Sequence, residues 1–351
     1  MERYIGIDAH LKSCTIAIVG PSGRRLREQV VETNGQALRQ FLASVAGQKH
    51  ICLEEGELSA WLHEVLSPVA AQLVVIQPER RRGSKSDARD AWELADRIRQ
   101  GDLKGLVYKA PGRFAGLRQA VHAQRVVTRE MVRAKNRLRA VYRARGIQPE
   151  PEIYDARYRP AWLERLPEHD QVLAHHFSEH LDAVSATAKR AQAWLLQEAR
   201  RYPVVRMIAT APGIGPVRAS QIVATVVTPH RFRTKRQFWS YCGLAVVTRS
   251  SSDWERGENR QWVRRQVALP RGLNRNRNPL LKEVFKGAAT SIITLMPDQP
   301  LCKNYERLLE AGTKPNLARL TIARQLAAAV LAMWKKQEVY DPARHDTTPT
   351  A

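Results

Sequence analysis

Two short apolar runs near the N-terminus each end in an acid: Tyr4-Ile5-Gly6-Ile7-Asp8 and His50-Ile51-Cys52-Leu53-Glu54. A carboxylate that closes an apolar strand costs free energy unless it is paired or bound to a cation. A fold that carries two of them therefore needs something for them to meet. The surrounding pattern says what kind of fold that is. Thr15–Val19 and Gln29–Glu32 read as two more strands around the Pro21-Ser22-Gly23 turn. Gly35–Val45 has helical spacing, with Leu38, Phe41, Leu42 and Val45 on one face. Leu58–Leu66 predicts a helix, Leu73–Gln77 a strand ended by Pro78, and Asp87–Arg99 a helix carrying Trp92, Leu94, Ala95 and Ile98. Three strands followed by α, β, α, β, α is the order of an RNase H-like α/β sheet, although this order alone also fits other α/β folds.

A helix starting near Asp87 adds two acids. Asp87 and Asp90 are three residues apart and so face one side. Asp87 also fits the ordinary role of a helix N-cap. Oxygen ligands from two strand ends and one helix can hold two Mg²⁺ ions about 4 Å apart, an arrangement that activates a hydroxyl or water at phosphorus. Asp8, Glu54, Asp87 and Asp90 are thus the candidate catalytic and metal-binding set.

The charge balance narrows the partner. The 351 residues contain 57 Lys plus Arg against 34 Asp plus Glu, a net charge of +23. Nucleic acid is the polyanion that such a surface suits best, because its phosphates release condensed counterions as Lys and Arg arrive. A membrane is not expected as a partner: no apolar run approaches the ~20 residues a span needs, and no signal peptide begins the chain. Cys14, Cys52, Cys242 and Cys302 lack zinc-ligand spacing. Cys14 and Cys52 sit in strand-like runs, which suits buried thiols in a cytoplasmic, nucleoid-associated protein.

Arg113–Arg145 reads as one long helix with ten Arg or Lys and one acid, Glu130. A solvated helix normally mixes both signs, so the face carrying Arg125, Arg129, Arg133 and Arg137 is a candidate phosphate-binding stripe. A second helix is expected from about Gln171 to Arg200. Its apolar residues Phe177, Leu181, Val184, Ala188, Ala191 and Leu195 make a heptad seam, suited to an antiparallel hairpin with the preceding helix or to a dimer contact. Beyond Val204, Ala211-Pro212-Gly213-Ile214-Gly215 is a tight turn between helices. Its Gly213 and Gly215 could aim backbone N–H groups at phosphate, or form an ordinary helix–helix turn. Thr248–Arg260 reads as a polar loop, Arg260–Lys286 is basic, and Leu317–Lys336 is a terminal helix. Arg264 and Arg265 join the nucleic-acid-binding candidates. The expected segments are 1–112, an α/β domain; 113–203, the basic helix and coiled-coil region; 204–300, a mainly helical domain; and 301–351, a terminal helix and tail.

Three motifs taken in order carry a family resemblance. Gly6-Ile7-Asp8-Ala9-His10, then Leu53-Glu54-Glu55-Gly56, then Lys85-Ser86-Asp87-Ala88-Arg89-Asp90-Ala91 resemble the RuvC-like domain of the DEDD insertion-sequence transposases. Ala211-Pro212-Gly213-Ile214-Gly215-Pro216, Phe232 and Tyr241-Cys242-Gly243-Leu244 resemble the C-terminal domain of the same family, so the likeness covers roughly residues 4 to 295. Two departures stand out. Members often show Glu-Ala-Thr-Gly at the second acid, where this chain has Glu54-Glu55-Gly56-Glu57. Many have Ser-Gly after Gly-Leu-x-Pro, where this chain has Gly243-Leu244-Ala245-Val246 and then Ser250-Ser251-Ser252.

The resemblance implies DNA recombination with Mg²⁺ at the acidic cluster and a serine nucleophile. Counting from Gly243 selects Ser251, with Ser250 and Ser252 as neighbours. It also implies a structured noncoding guide RNA that pairs with donor and target DNA, and a homo-oligomer, dimer or tetramer. Two rival readings need less: a RuvC-like nuclease or junction resolvase that uses water and forms no covalent intermediate, and a non-enzymatic nucleic-acid binder. A sugar kinase of the actin type would need a Gly-rich phosphate loop, and residues 9–20 contain only Gly20.

Overall fold

The computed structural model describes residues 1–78, 86–103, 105–107, 114–248, 254–256, 260–264 and 270–345. The chain forms two compact units, Met1–Arg113 and Phe114–Ala351. The first is mixed α/β, and the second is mostly helical.

The first unit is built on one sheet. Its elements are β1 (Glu2–Ala9), β2 (Ser13–Val19), β3 (Arg25–Glu32), α1 (Gly35–Ala43), β4 (Gln48–Glu54), α2 (Ser59–Leu66), β5 (Gln72–Ile76), α3 (Asp87–Gln100) and β6 (Leu106–Val107). The sheet order is β3-β2-β1-β4-β5-β6. β1 runs antiparallel to β2 and parallel to β4, and β4 runs parallel to β5. This topology is consistent with the RNase H-like arrangement expected from the element order.

Side-chain alternation divides the sheet into two faces. Ile5, Ile7, Ile16, Ile18, Ile51, Leu53 and Val75 point to one side and make a core with Leu38 and Leu42 of α1 and Leu62 and Leu66 of α2. The opposite set, Ala17, Val19, Cys52 and Ile76, packs against Ala91, Trp92, Leu94, Ala95 and Ile98 of α3. Gly6 lies on that second face. A Cβ there would overlap the Ala91 carbonyl oxygen and crowd the Ala95 nitrogen. Glycine is what lets the α3 backbone rest directly on β1.

β3 begins at Arg25, earlier than the Gln29 start that its sequence suggests, because it is an edge strand whose residues are nearly all exposed and so lack an apolar alternation. Its polar side chains still pack. The Arg25 guanidinium lies 4.9 Å from the Trp92 ring centroid, and Trp92 Nε1 donates to Glu28 Oε2 at 2.6 Å.

The second unit contains α4 (Ala115–Arg143), α5 (Arg159–Leu163), α6 (Glu168–Ala199), α7 (Pro203–Ile208), α8 (Pro216–Val226), α9 (Lys235–Tyr241), β7 (Val246–Thr248), β8 (Trp254–Arg256), β9 (Trp262–Arg264), β10 (Pro270–Leu273), α10 (Pro279–Leu295), α11 (Pro300–Glu310) and α12 (Pro315–Lys336). The expected heptad seam faces α4, and the two long helices form an antiparallel hairpin. Near its base Leu117 and Val121 share a core with Leu195 and Ala199. Near its tip Leu138 and Tyr142 share one with Ala174, Leu181 and Trp162. Between Val121 and Ala134 on α4, and between Leu181 and Leu195 on α6, neither helix has a fully buried residue.

One expectation is corrected here. The segment read as a polar loop from Thr248 to Arg260 is flanked and interrupted by short strands: β7 pairs antiparallel with β10, and β8 with β9. Strands of three residues with charged alternate positions give too short a period to detect from sequence. Among the described residues α12 is long and apolar enough to cross a membrane by length and composition. Its Ile322, Ala323, Leu326, Ala327 and Val330 fill the core of the second unit.

The contact at Gly6 yields a stability prediction. Gly6→Ala should lower the unfolding free energy by about 1–3 kcal/mol, the usual cost of overpacking. Gly56→Ala should change it little, since a Cβ at Gly56 meets nothing within 4 Å. Urea unfolding of the two variants beside the wild type measures the difference.

Candidate functional site

The site begins where β1 and β4 end. Ile7 pairs with Leu53 in parallel register, so Asp8 and Glu54 sit side by side on neighbouring strands. Asp8 shares its parity with Gly6, and Glu54 with Cys52, which puts both acids on the face that α3 covers. α3 starts at that edge. Its N-cap is Ser86, so Asp87 is the first helical residue and not the cap, and Asp87 and Asp90 both lie in the first turn. Acids there are favoured by the positive end of the helix dipole. That preference explains their tolerance but not their direction toward Asp8.

Three side chains meet at close range. His10 Nε2 lies 3.2 Å from Asp8 Oδ2 and 3.4 Å from Asp87 Oδ1. One ligand atom from each of Asp8, His10 and Asp87 falls within 4.8 Å of the others, a spacing that a single metal ion could bridge. Asp8 is the innermost, with its side chain 18% exposed against 57% for Asp87.

Burial pushes the Asp8 carboxyl above its ordinary value. The neighbouring charge and hydrogen bond of His10 oppose that shift, while Asp87 and Asp90 add to it by repulsion. Glu54 and Asp90 lie outside the close triplet, and both make other interactions. Glu54 is near enough to Cys52 that its charge adds to the burial that pushes that thiol up to about 12, with Arg97 opposing.

His10 is the member that sequence reasoning passed over. The usable signal was parity: two residues beyond a strand-end acid, a side chain returns to the same side.

The other candidates are placed as follows. Arg129, Arg133 and Arg137 are exposed along α4, whereas Arg125 is half-buried, with burial and Arg129 holding its pKa down and Glu283 opposing. Gly213 has φ +67, and a Cβ there would strike the Ala288 carbonyl oxygen of α10. Its own carbonyl accepts from Arg218 Nη1, which also donates to Ser291 Oγ at 3.0 Å. The conformation and close packing thus require glycine at 213 for structural reasons. Gly215 is different: it caps α8 and has open space around it. Arg264 ends β9, and Ser251 and Arg265 lie outside the described residues.

The raised Asp8 pKa carries a pH prediction. When the folded-state pKa of an acid exceeds its unfolded value, stability present at low pH is lost as pH rises through the folded value. In chelator, the wild type should lose more unfolding free energy than Asp8→Asn between about pH 4 and about pH 7, the range in which a raised carboxyl ionises. Urea midpoints at the two pH values test this; equal losses would show that the Asp8 charge is not strained.

Two stretches of the chain match families of known proteins. Residues 5–144, which hold all four acids and the α4 arginines, match the DEDD transposase family of the IS110 type. Residues 205–268, which hold Gly213, Gly215, Ser251, Arg264 and Arg265, match the family described as "Transposase IS116/IS110/IS902 family". An uncharacterized 43.6 kDa protein of insertion element IS110 from Streptomyces coelicolor is 27% identical over 162 residues, which is 46% of this chain and 36% of that protein. The y4pF/y4sB protein of Sinorhizobium fredii, whose name assigns it provisionally to the transposases, is 26% identical over 204 residues, 56% of this chain and 50% of that protein. The matches thus span half or less of these relatives' own length.

Proposed function

Because the chain belongs to the DEDD insertion-sequence transposase family, we propose that it cuts and rejoins DNA at the ends and target of a mobile element, with a divalent cation at the acidic cluster and Ser251 as the attacking group. The observation that carries this reading is the meeting of Asp8, His10 and Asp87 at the strand ends. Carboxylate oxygens beside one another, with Asp8 strained by burial and repulsion, are a donor set that suits a hard cation such as Mg²⁺. Asp8 and Asp87 would be the first ligands, with Glu54 and Asp90 as further oxygen donors. When bound, the cation supplies activation of the attacking hydroxyl and stabilisation of charge on the leaving oxygen.

The chain's own groups do the rest. The Ser251 hydroxyl bonds to phosphorus and the 3′ oxygen of the cut strand leaves, so the protein holds a 5′-phosphoserine. Attack by a second 3′ hydroxyl then restores the phosphodiester and frees the serine. Arginines near the serine segment offset charge that grows on the phosphoryl oxygens. The α4 stripe of Arg129, Arg133 and Arg137 binds phosphates and supplies register rather than sequence. Gly215, at an open helix N-terminus, offers backbone N–H groups to the same polyanion. Sequence choice falls to a structured guide RNA that pairs with the DNA, and the working enzyme is a homo-oligomer.

Asp8→Asn and Asp90→Asn should each abolish strand cleavage on element-end DNA while preserving the far-ultraviolet circular dichroism spectrum. Mg²⁺ should raise the melting temperature of the wild type and leave that of Asp8→Asn unmoved. Ser251→Ala should keep DNA binding but lose the covalent adduct formed on a suicide substrate. Cleavage that continues in Ser251→Ala without any adduct would replace this reading with that of a water-dependent nuclease.

Neutralising Arg129, Arg133 and Arg137 together should reduce the slope of log affinity against log salt by about 2–3 on duplex DNA, close to the 0.9 expected per lost phosphate contact. Fluorescence anisotropy across a salt series reads that slope, and an unchanged value counts against the stripe.

A further inference from the structure

β8 and β9 pair so that Trp254 stands opposite Arg264, Glu255 opposite Val263 and Arg256 opposite Trp262. Residues two apart on a strand, and residues directly opposite, share a face. Trp254, Arg256 and Trp262 therefore lie together on one side of the ribbon, with Arg264 at the fourth position of that register. The two indoles are 55% and 66% exposed, high for the largest apolar side chain. The Arg256 guanidinium lies 5.9 Å from the Trp262 ring centroid. A ribbon of two three-residue strands is marginal in water by itself.

The geometry points to a stacking platform for an unpaired DNA strand. Trp254 and Trp262 are diagonal neighbours, whose Cα atoms in such ribbons stand about 7–8 Å apart. Long side chains at that spacing are within reach of one another, so bases of one strand can stack on both indoles. Arg256, on the same face, is set to meet the adjoining phosphate. The surroundings match a polyanion: from Arg260 to Lys286 the chain carries eight Arg or Lys and one acid, Glu283. Aromatic rings interleaved with arginine are the usual equipment for holding single strands regardless of sequence.

The inference that the strand is DNA rests on the proposed recombinase reading, because Trp254 follows Ser252 by two residues. A platform there would receive the bases freed from pairing beside the phosphodiester that the serine attacks.

The test is binding of fluorescein-labelled single-stranded oligothymidylate, the corresponding duplex and oligouridylate to the full-length protein in chelator. No divalent cation or chemical step is involved, so a failure of the metal or serine assignment leaves this measurement intact. Trp254→Ala and Trp262→Ala should each weaken single-strand DNA binding about tenfold, the loss expected when one base is no longer stacked. Trp254→Phe and Trp262→Phe should retain most of it, and duplex affinity should not change. Arg256→Gln should lower the single-strand salt slope. Unchanged single-strand affinity in both alanine variants would overturn the platform, as would an equal loss on duplex. A loss confined to oligouridylate would assign the ribbon to RNA instead, and a change of oligomeric state with unaltered nucleic-acid binding would make it a protein contact.

Discussion

With no side chain at Gly6, the backbone of α3 at Ala91 and Ala95 lies directly on β1. The acidic site depends on that approach. It brings the first turn of α3, and with it Asp87 and Asp90, to the edge where Asp8 and Glu54 emerge from the sheet. The same closeness that assembles the carboxylates also strains Asp8, which is both desolvated and repelled by its neighbours. His10 partly offsets this by standing between two of the carboxylates. Packing and electrostatics therefore oppose each other at this point. Such an opposition is expected where a fold keeps charge for chemistry and not for stability.

The first unit was largely readable from sequence because its signals are local and periodic. The strands β1, β2, β4 and β5 are half or fully buried, so their apolar runs announce them, and α3 shows its amphipathic face plainly. β3 was read short because an exposed edge strand has no reason to alternate. β6, two residues long, leaves no pattern at all. At the site, the order of the four acids was legible, but the nearness of His10 was not. Its ring reaches Asp87 across a gap of 77 residues, and only the fold sets that distance.

In the second unit the seam from Phe177 to Leu195 left a hairpin and a dimer contact open, and the packing against α4 resolves it as a hairpin. The ribbons around Trp254 and Trp262 were hidden by their brevity. Gly213 shows why a glycine-rich turn is ambiguous evidence. Its left-handed backbone and its contact with α10 account for the residue fully without any ligand, whereas Gly215 has no such structural reason. Two glycines in one motif thus answer to different demands, which spacing alone could not separate.

The long hairpin has a mechanical consequence. Its base is anchored in the main core of the second unit and its tip holds a small core of its own, but the stretch between them, through Arg129 and Arg133, has no fully buried residue on either helix. At about 1.5 Å per residue, α4 is an arm of roughly 40 Å, held by buried side chains at both ends and by half-buried ones between them. Bending would concentrate in that stretch, where Val184, Ala188 and Ala191 of the seam are only half-buried. The exposed Arg129 and Arg133 sit on that stretch, so a bound polyanion would act there as a splint. Loading would stiffen the arm, and release would return its play.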